Sequence, residues 1–210
     1  MDKIKKFLPA GKPKILNVGA GSGYDLETLK KYGDVYVIDI NKNVLRLIPK
    51  NLFFEKKLGD ACKIPYKSNF FDIAVSFDVL EHISDDNTAV SEIRRVMKKN
   101  GYFVFSVPAF PSIFSSHDMV LGHKRRYTKK SLAKLLSEFR NLKLNYWNVL
   151  FFPPLAILRI IKKNSGKADY TKFPKWVHSF FYAGFAVENR LIKHGMPMPA
   201  GLSLVGYCKK

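Results

Sequence analysis

Cysteine is scarce: the chain of 210 residues holds two, Cys62 and Cys208, far apart and without Cys-x-x-Cys spacing. Neither a disulfide framework nor a thiolate zinc site has support, and a reducing cytosol is the expected compartment. Acidic residues are also short. Against 36 Lys plus Arg stand 17 Asp plus Glu, a formal charge of +19, which favours anionic partners such as nucleic acid, phosphates or anionic lipid. Long apolar runs are missing. The longest, Val149 to Ile161, is interrupted by Pro153, Pro154 and Arg159 and falls short of the ~20 residues of a spanning helix. It suffices for lying on a membrane. The opening stretch MDKIKKFLPAGKPK is broken by Pro9, Gly11 and Pro13, so no export signal is read there.

What is present is the composition of a folding chain. Hydrophobic residues at 47% and charged residues at 25% exclude a disordered or collagen-like polymer, and the length fits one domain, 1–210, with an insertion. From Lys14 to about residue 107, β-branched runs (KILNVG, VYVIDI, FFDIAVSF, GYFVFSV) alternate with amphipathic segments at Tyr24–Lys31, Asn41–Ile48 and Asp85–Lys98. That rhythm predicts βαβ units in a doubly wound α/β sheet, with Asn100-Gly101 closing the last helix by a left-handed cap. Residues 108–130 read as an active-site loop after a strand's carboxyl end. Thr128 reads as the N-cap of a helix over Lys129–Phe139, and a strand follows near Leu142–Val149. Residues 150–199 break the rhythm and read as a helical insertion or lid, and GLSLVGYCKK returns to a β pattern.

Chemistry enters with NVGAGSG, Asn17 to Gly23, at a strand-to-helix turn where glycines let the backbone approach a ligand. Tyr24 stands where a dinucleotide fingerprint has its third glycine, so the fit to NAD is imperfect. Asp39 closes the next strand, where a carboxylate can accept both ribose hydroxyls. Then come Gly59-Asp60-Ala61 and SFDVLEHI, a strand ending in Phe77-Asp78 before Leu80-Glu81-His82.

In this order the motifs resemble the class I S-adenosylmethionine-dependent methyltransferases of the type 11/12 kind, over roughly residues 14–150 and the last strand. The resemblance implies a Rossmann-like sheet of seven strands, its antiparallel final strand near Ser203–Lys209 lying between the two before it. It implies S-adenosyl-L-methionine as cofactor. Gly19, Ala20 and Gly21 would approach the methionine portion, Asp39 would bind the ribose and Ile40 would pack on adenine. Asp60 would accept the adenine amino group beside Ala61, and Phe77 and Asp78 would flank the methionine end. Asn17 departs from the Asp or Glu usual at its position and cannot supply charge to the amino-acid end. HDMVLGHKRRYTKKSLAKLL resembles a segment of family members acting on lipid-linked or glycan substrates.

That segment clusters His117, His123, Arg125, Arg126 and Tyr127. A sulfonium-activated methyl leaves the protein to align the acceptor and, for a hydroxyl, to remove its proton. His117 and His123 are the candidate bases, with a loop histidine bonding backbone as the alternative; Arg125, Arg126 and Tyr127 are candidates for binding substrate, with a solvated charge run as the alternative. No ligand cluster suggests a metal. In the insertion, Trp147, Phe151 and Phe152 join Leu155, Ile157, Leu158, Ile160 and Ile161, and with Arg159, Lys162 and Lys163 behind them they suit an interfacial helix. The aromatics of WVHSFFYAGFAVENRLIKHG suit core or lid packing, a lipid surface or another partner. The leading expectation is an enzyme making an O-methyl transfer to a small or lipid/glycan-linked acceptor, cytoplasmic or peripheral at the inner membrane face. The alternatives are an RNA or protein methyltransferase using the basic surface, a non-catalytic cofactor-binding scaffold, and a nicotinamide-dependent dehydrogenase. Nucleic acid is the less favoured partner, since no RNA-binding module is seen, and oligomeric state is not legible.

Overall fold

A computed structural model describes residues 11–150, 152, 153, 156, 157 and 175–210. Seven strands, β1 (Lys14–Val18), β2 (Asp34–Asp39), β3 (Glu55–Leu58), β4 (Phe71–Phe77), β5 (Met97–Pro108), β6 (Arg140–Trp147) and β7 (Ser203–Lys209), form one sheet in the order β3-β2-β1-β4-β5-β7-β6. The first five are parallel; β7 runs antiparallel to β5 and β6 and lies between them. The helices are α1 (Leu26–Lys30), α2 (Lys42–Leu47), α3 (Asp86–Val96), α4 (Ser116–Val120), α5 (Lys129–Leu135) and α6 (Lys175–Lys193). No described helix is long and apolar enough to cross a membrane.

Strands covered on both faces need apolar side chains at consecutive positions, and β1 and β4 supply them. Leu16, Val18 and Ala74 join the core under α3 and α5 with Phe71, Phe103, Phe105 and Ile93. Ile15, Ile73 and Val75 face the other way, packing with Leu26, Leu29 and Leu45 of α1 and α2. In α3, Ala89, Val90, Ile93 and Val96 recur at helical spacing and are buried. Its N-cap Asp85 accepts from the Thr88 amide at 3.0 Å, and Thr128 and Ser131 cap α5 reciprocally.

Two boundaries differ from the sequence reading. α3 ends at Val96 and β5 starts at Met97, so Asn100-Gly101 is not a helix cap. Asn100, at φ 67°, sits where the β4–β5 register shifts. The strand pairing, which lets Met97 oppose Phe71, outweighs the helical pattern. α1 starts at Leu26, because the glycine turn runs on through Asp25. In the insertion, α6 is helical as expected, while Phe151, Leu155, Leu158, Arg159, Ile160, Ile161, Lys162 and Lys163 lie outside the described residues. Phe152 is half-buried against Phe110, ring centroids 5.0 Å apart.

Strand order reverses at β1, which sends the chain to β2 on one side and pairs β4 on the other. Such a switch point opens a crevice at the carboxyl ends of the strands. Gly206 keeps the far half of the sheet closed. A Cβ there would stand 2.4 Å from the Lys143 carbonyl oxygen and 2.9 Å from Phe105 Cζ. Gly206→Ala is expected to cost about 1–3 kcal/mol, read as a lower urea midpoint with unchanged slope.

Candidate functional site

The crevice encloses about 720 Å³, within the range of small-ligand sites. Its floor is the turn after β1. Gly19 (φ 72°) and Gly21 (φ 51°) occupy the left-handed region, which costs side-chain-bearing residues. A Cβ on Gly19 would press on Val79 Cγ2 at 2.5 Å, whereas one on Gly21 would meet nothing within 4 Å. Asp39, at the end of β2, ties this turn down: its Oδ2 accepts from the Gly21 amide at 3.0 Å and its Oδ1 from the Asn41 amide at 2.8 Å. Ile40 beside it is 73% exposed, an apolar surface offered to the cleft. On the opposite wall Asp60 Oδ1 accepts from the Cys62 amide at 2.8 Å, next to Ala61.

Asp78 follows β4 with φ 52°, a strained conformation of the kind that gathers at functional sites. It lines the cleft, yet the surrounding protein removes enough solvent to raise its pKa, an effect partly offset by the Ser106 hydroxyl and by His123 and His82. The next turn places Glu81 inside the protein. Glu81 is fully buried and neither carboxylate oxygen has a hydrogen-bond partner. Burial, then the neighbouring Asp78 charge, pushes its pKa up to about 8. His82 faces the cleft; burial and repulsion from His123 hold its pKa down.

The loop after β5 folds over this end around Asp118, fully buried. Its Oδ1 contacts His123 Nδ1 at 3.0 Å and Arg126 at 2.8 Å (Nε) and 2.7 Å (Nη2), and its Oδ2 accepts from the Ser115 amide at 2.9 Å. These partners keep the carboxyl well below the ordinary range despite its burial. Loop and turn are stitched together. The Lys124 amide donates to the Glu81 carbonyl at 2.8 Å, and Lys124 Nζ to Ser84 Oγ. Arg125 donates to the Ser84 carbonyl and pairs with Asp86 at 2.9 Å. His82 Nδ1 meets the Gly122 carbonyl at 3.2 Å.

Of the residues expected from sequence, Gly19, Gly21, Asp39, Ile40, Asp60, Ala61 and Asp78 line this cleft. Three others do not. Asn17 is buried in β1 between Val37 and Val75, and Ala20 packs on the α1 side of the core. Phe77 points to the opposite face, where it lines a separate cavity of about 830 Å³ with Tyr32, Trp147 and Asn189. Phe77 is the last residue of β4, and the chain leaves the strand at Asp78 with φ 52°, which separates the two side chains. His123 reaches the cluster; His117, on α4, is half-buried and is not among the cleft-lining residues. The substrate-binding expectation for Arg126 and Tyr127 is corrected. Arg126 is buried with Asp118 and donates to the Ala109 carbonyl, and Tyr127 is buried with its hydroxyl on Asp86 at 2.8 Å. Both hold the loop, and Arg125 is likewise engaged by Ser84 and Asp86. Sequence reasoning gives Glu81 no role and reads His82 as a packing or cofactor-side residue. Their adjacency to Asp78 was visible, but their meeting with His123 is tertiary.

Comparison with known proteins agrees with this geometry. Residues 16–105 match the family model described as "Methyltransferase domain". An uncharacterized protein of Methanocaldococcus jannaschii is 27% identical over 170 residues, 76% of this chain and 71% of its own. A ubiquinone/menaquinone biosynthesis C-methyltransferase of Burkholderia cenocepacia is 33% identical over 97 residues, 42% of this chain and 40% of its own length. Among solved structures, a putative methyltransferase of Bacillus halodurans superposes with a TM-score of 0.63 at 17% identity, covering 100% of this chain and 97% of that one. Phosphoethanolamine N-methyltransferase 2 of Haemonchus contortus, in complex with S-adenosyl-L-methionine, gives 0.64 at 17%, covering 99% and 51%. At that identity the structural likeness speaks for the fold. Residues 16–105 thus carry a methyltransferase domain, and the seven-stranded sheet has the fold of the S-adenosylmethionine-dependent methyltransferases. In this fold the Haemonchus contortus enzyme holds S-adenosyl-L-methionine.

The residues present fit that cofactor. The cleft offers carboxylates for hydroxyl and amino donors at Asp39 and Asp60, exposed apolar surface for an aromatic base at Ile40, and open space above Gly21. Charge-assisted hydrogen bonds contribute about 1.5–3 kcal/mol each. Asp39→Ala is therefore expected to weaken S-adenosylhomocysteine binding at least ~10-fold by calorimetry. Unchanged affinity would remove Asp39 from the site.

Proposed function

We propose that the chain transfers the methyl group of S-adenosylmethionine to a hydroxyl oxygen of a small or lipid/glycan-linked acceptor, with polyprenyl-linked compounds as the substrate class. The donor supplies a methyl already activated by the sulfonium charge. What remains for the protein is alignment and handling of the acceptor's proton. In this reading Gly19 and Gly21 admit the amino-acid portion, Asp39 accepts the ribose hydroxyls, Ile40 covers the adenine, Asp60 and the Ala61 main chain meet its amino edge, and Asp78 flanks the methionine end.

The observation that carries the reading is the convergence of Glu81, His82 and His123, beside Asp78, beneath the loop that closes the same cleft. A polar cluster held this tightly is suited to receiving an oxygen nucleophile. In the same loop Met119, Val120 and Leu121 are 59%, 54% and 40% exposed, apolar surface in keeping with a lipid-linked acceptor. The cationic surface suits an anionic headgroup or membrane, which would place the protein at the cytoplasmic membrane face. Relatives named for ubiquinone/menaquinone biosynthesis and for phosphoethanolamine are in keeping with a small acceptor.

Methyl-labelled donor incubated with the protein and a lipid extract is expected to put label into a solvent-extractable methyl ether, stable to mild alkali. Label found only in nuclease- or protease-sensitive material would instead establish a macromolecular acceptor. His123→Ala is expected to lower kcat/KM about 100-fold or more while leaving S-adenosylhomocysteine affinity within about twofold.

A further inference from the structure

We infer that Glu81, His82 and His123 form a binding site for one divalent first-row transition-metal ion at the acceptor end of the cleft. Their candidate ligand atoms all lie within 4.8 Å of one another, and Glu81 Oε1 is 4.0 Å from His123 Nε2. A cation about 2.1 Å from each ligand holds ligand atoms about 3 to 4.2 Å apart, so side-chain movements of roughly 1 Å close the site.

Three independent features point the same way. The His123 ring is fixed through Nδ1 by the Asp118 carboxylate, which leaves Nε2 directed at Glu81. The His82 ring is fixed through Nδ1 by the Gly122 carbonyl, which leaves its Nε2 for a ligand. Metal-binding histidines are commonly oriented in this way, with the second nitrogen on a carboxylate or backbone carbonyl. Glu81 is the third feature, a fully buried carboxylate with both oxygens unpartnered. Such a group is costly in a folded protein unless something completes it, and the nearby Arg126 guanidinium is already committed to Asp118 and the Ala109 carbonyl. Lys124 also lines the cleft and opposes a cation; the carboxyl groups of Asp78 and Asp85 line the same cleft.

Two imidazoles and one carboxylate suit zinc, manganese, iron(II) or cobalt, and three protein ligands leave positions open. This deepens the reading of an oxygen acceptor and rests on it. The hydroxyl oxygen takes an open position, its proton leaves to solvent through the cleft, and its lone pair forms the new C–O bond. The S–CH3 bond breaks with its electrons remaining on sulfur, giving S-adenosylhomocysteine. His123 then serves as a ligand and positions the acceptor through the cation.

The test uses the full chain, stripped with chelator and titrated with CoCl2 by visible absorption and with ZnCl2 by calorimetry. One equivalent per chain is expected. Glu81→Gln, close in shape and relieved of a buried charge, and His123→Ala should each weaken binding at least ~10-fold. His194→Ala and Cys62→Ser should leave it unchanged. S-adenosylhomocysteine titration of every variant reports that the fold is intact. Absence of saturable binding, or equal affinity in Glu81→Gln, His123→Ala and wild type, overturns the site. A chain that methylates hydroxyl acceptors at full rate after chelation overturns the metal while preserving the O-methyl reading; metal binding without transfer to any hydroxyl overturns the O-methyl reading while preserving the site.

Discussion

The buried carboxylate of Asp118 is the constraint on which the acceptor side of the molecule depends. An ionised group withdrawn from water is tolerated only when its lone pairs are filled. Asp118 fills them with Ser115, His123 and Arg126, all within the same loop. The sequence between Pro108 and Thr128, without helical or strand periodicity, thus acquires one conformation from a single charge. That conformation then reaches outward: Lys124, Arg125 and Tyr127 attach the loop to the Glu81–Asp86 segment. Arg125 and Arg126 of HKRRY serve as internal fastenings, and Lys124 both fastens to Ser84 and lines the cleft.

The donor side is built on a different economy. There the main chain does most of the work, through left-handed glycines and amides collected by the Asp39 carboxylate, and the walls are short loops at strand ends. Such a half-site needs only a parallel sheet with a switch point and is compatible with many acceptors. The two halves meet at Asp78, which follows β4, contacts the electrostatic field of both histidines and carries the strained backbone between them.

This division explains what the sequence revealed. The parallel sheet and the glycine turn were legible because period-two and period-3.6 patterns and turn chemistry are local signals, whereas the role expected of Asp60 came with the family resemblance. The position of β7 between β5 and β6 came from family resemblance, since no local pattern encodes strand order. The limits appeared where local and tertiary demands compete. Asn100-Gly101 carries a good helix-stop signal, but pairing with β4 places it inside β5. Arg126 and Tyr127 look like ligand-binding residues because their buried partners, Asp118 and Asp86, are eight and 41 positions away. Phe77 and Asp78 look like one feature in a motif and fall on opposite faces of the sheet. Glu81 and His82 were readable as residues but not as a cluster, since the third member arrives from a loop beyond the next strand.

The strand order has a consequence for biogenesis. Among the described residues β6 has a single hydrogen-bonded neighbour, β7, and residues 148–202 separate the two. During amino-to-carboxyl synthesis β5 and β6 are therefore both complete while each still presents an open edge, and neither can satisfy the other. An open edge of this kind invites association with other chains. Arg140 and Lys143 on β6 place positive charges along that waiting edge, the same device by which finished proteins discourage strands from joining edge to edge. Part of the chain's strongly basic character can thus be understood as protection for an intermediate, separate from any ligand the folded protein attracts.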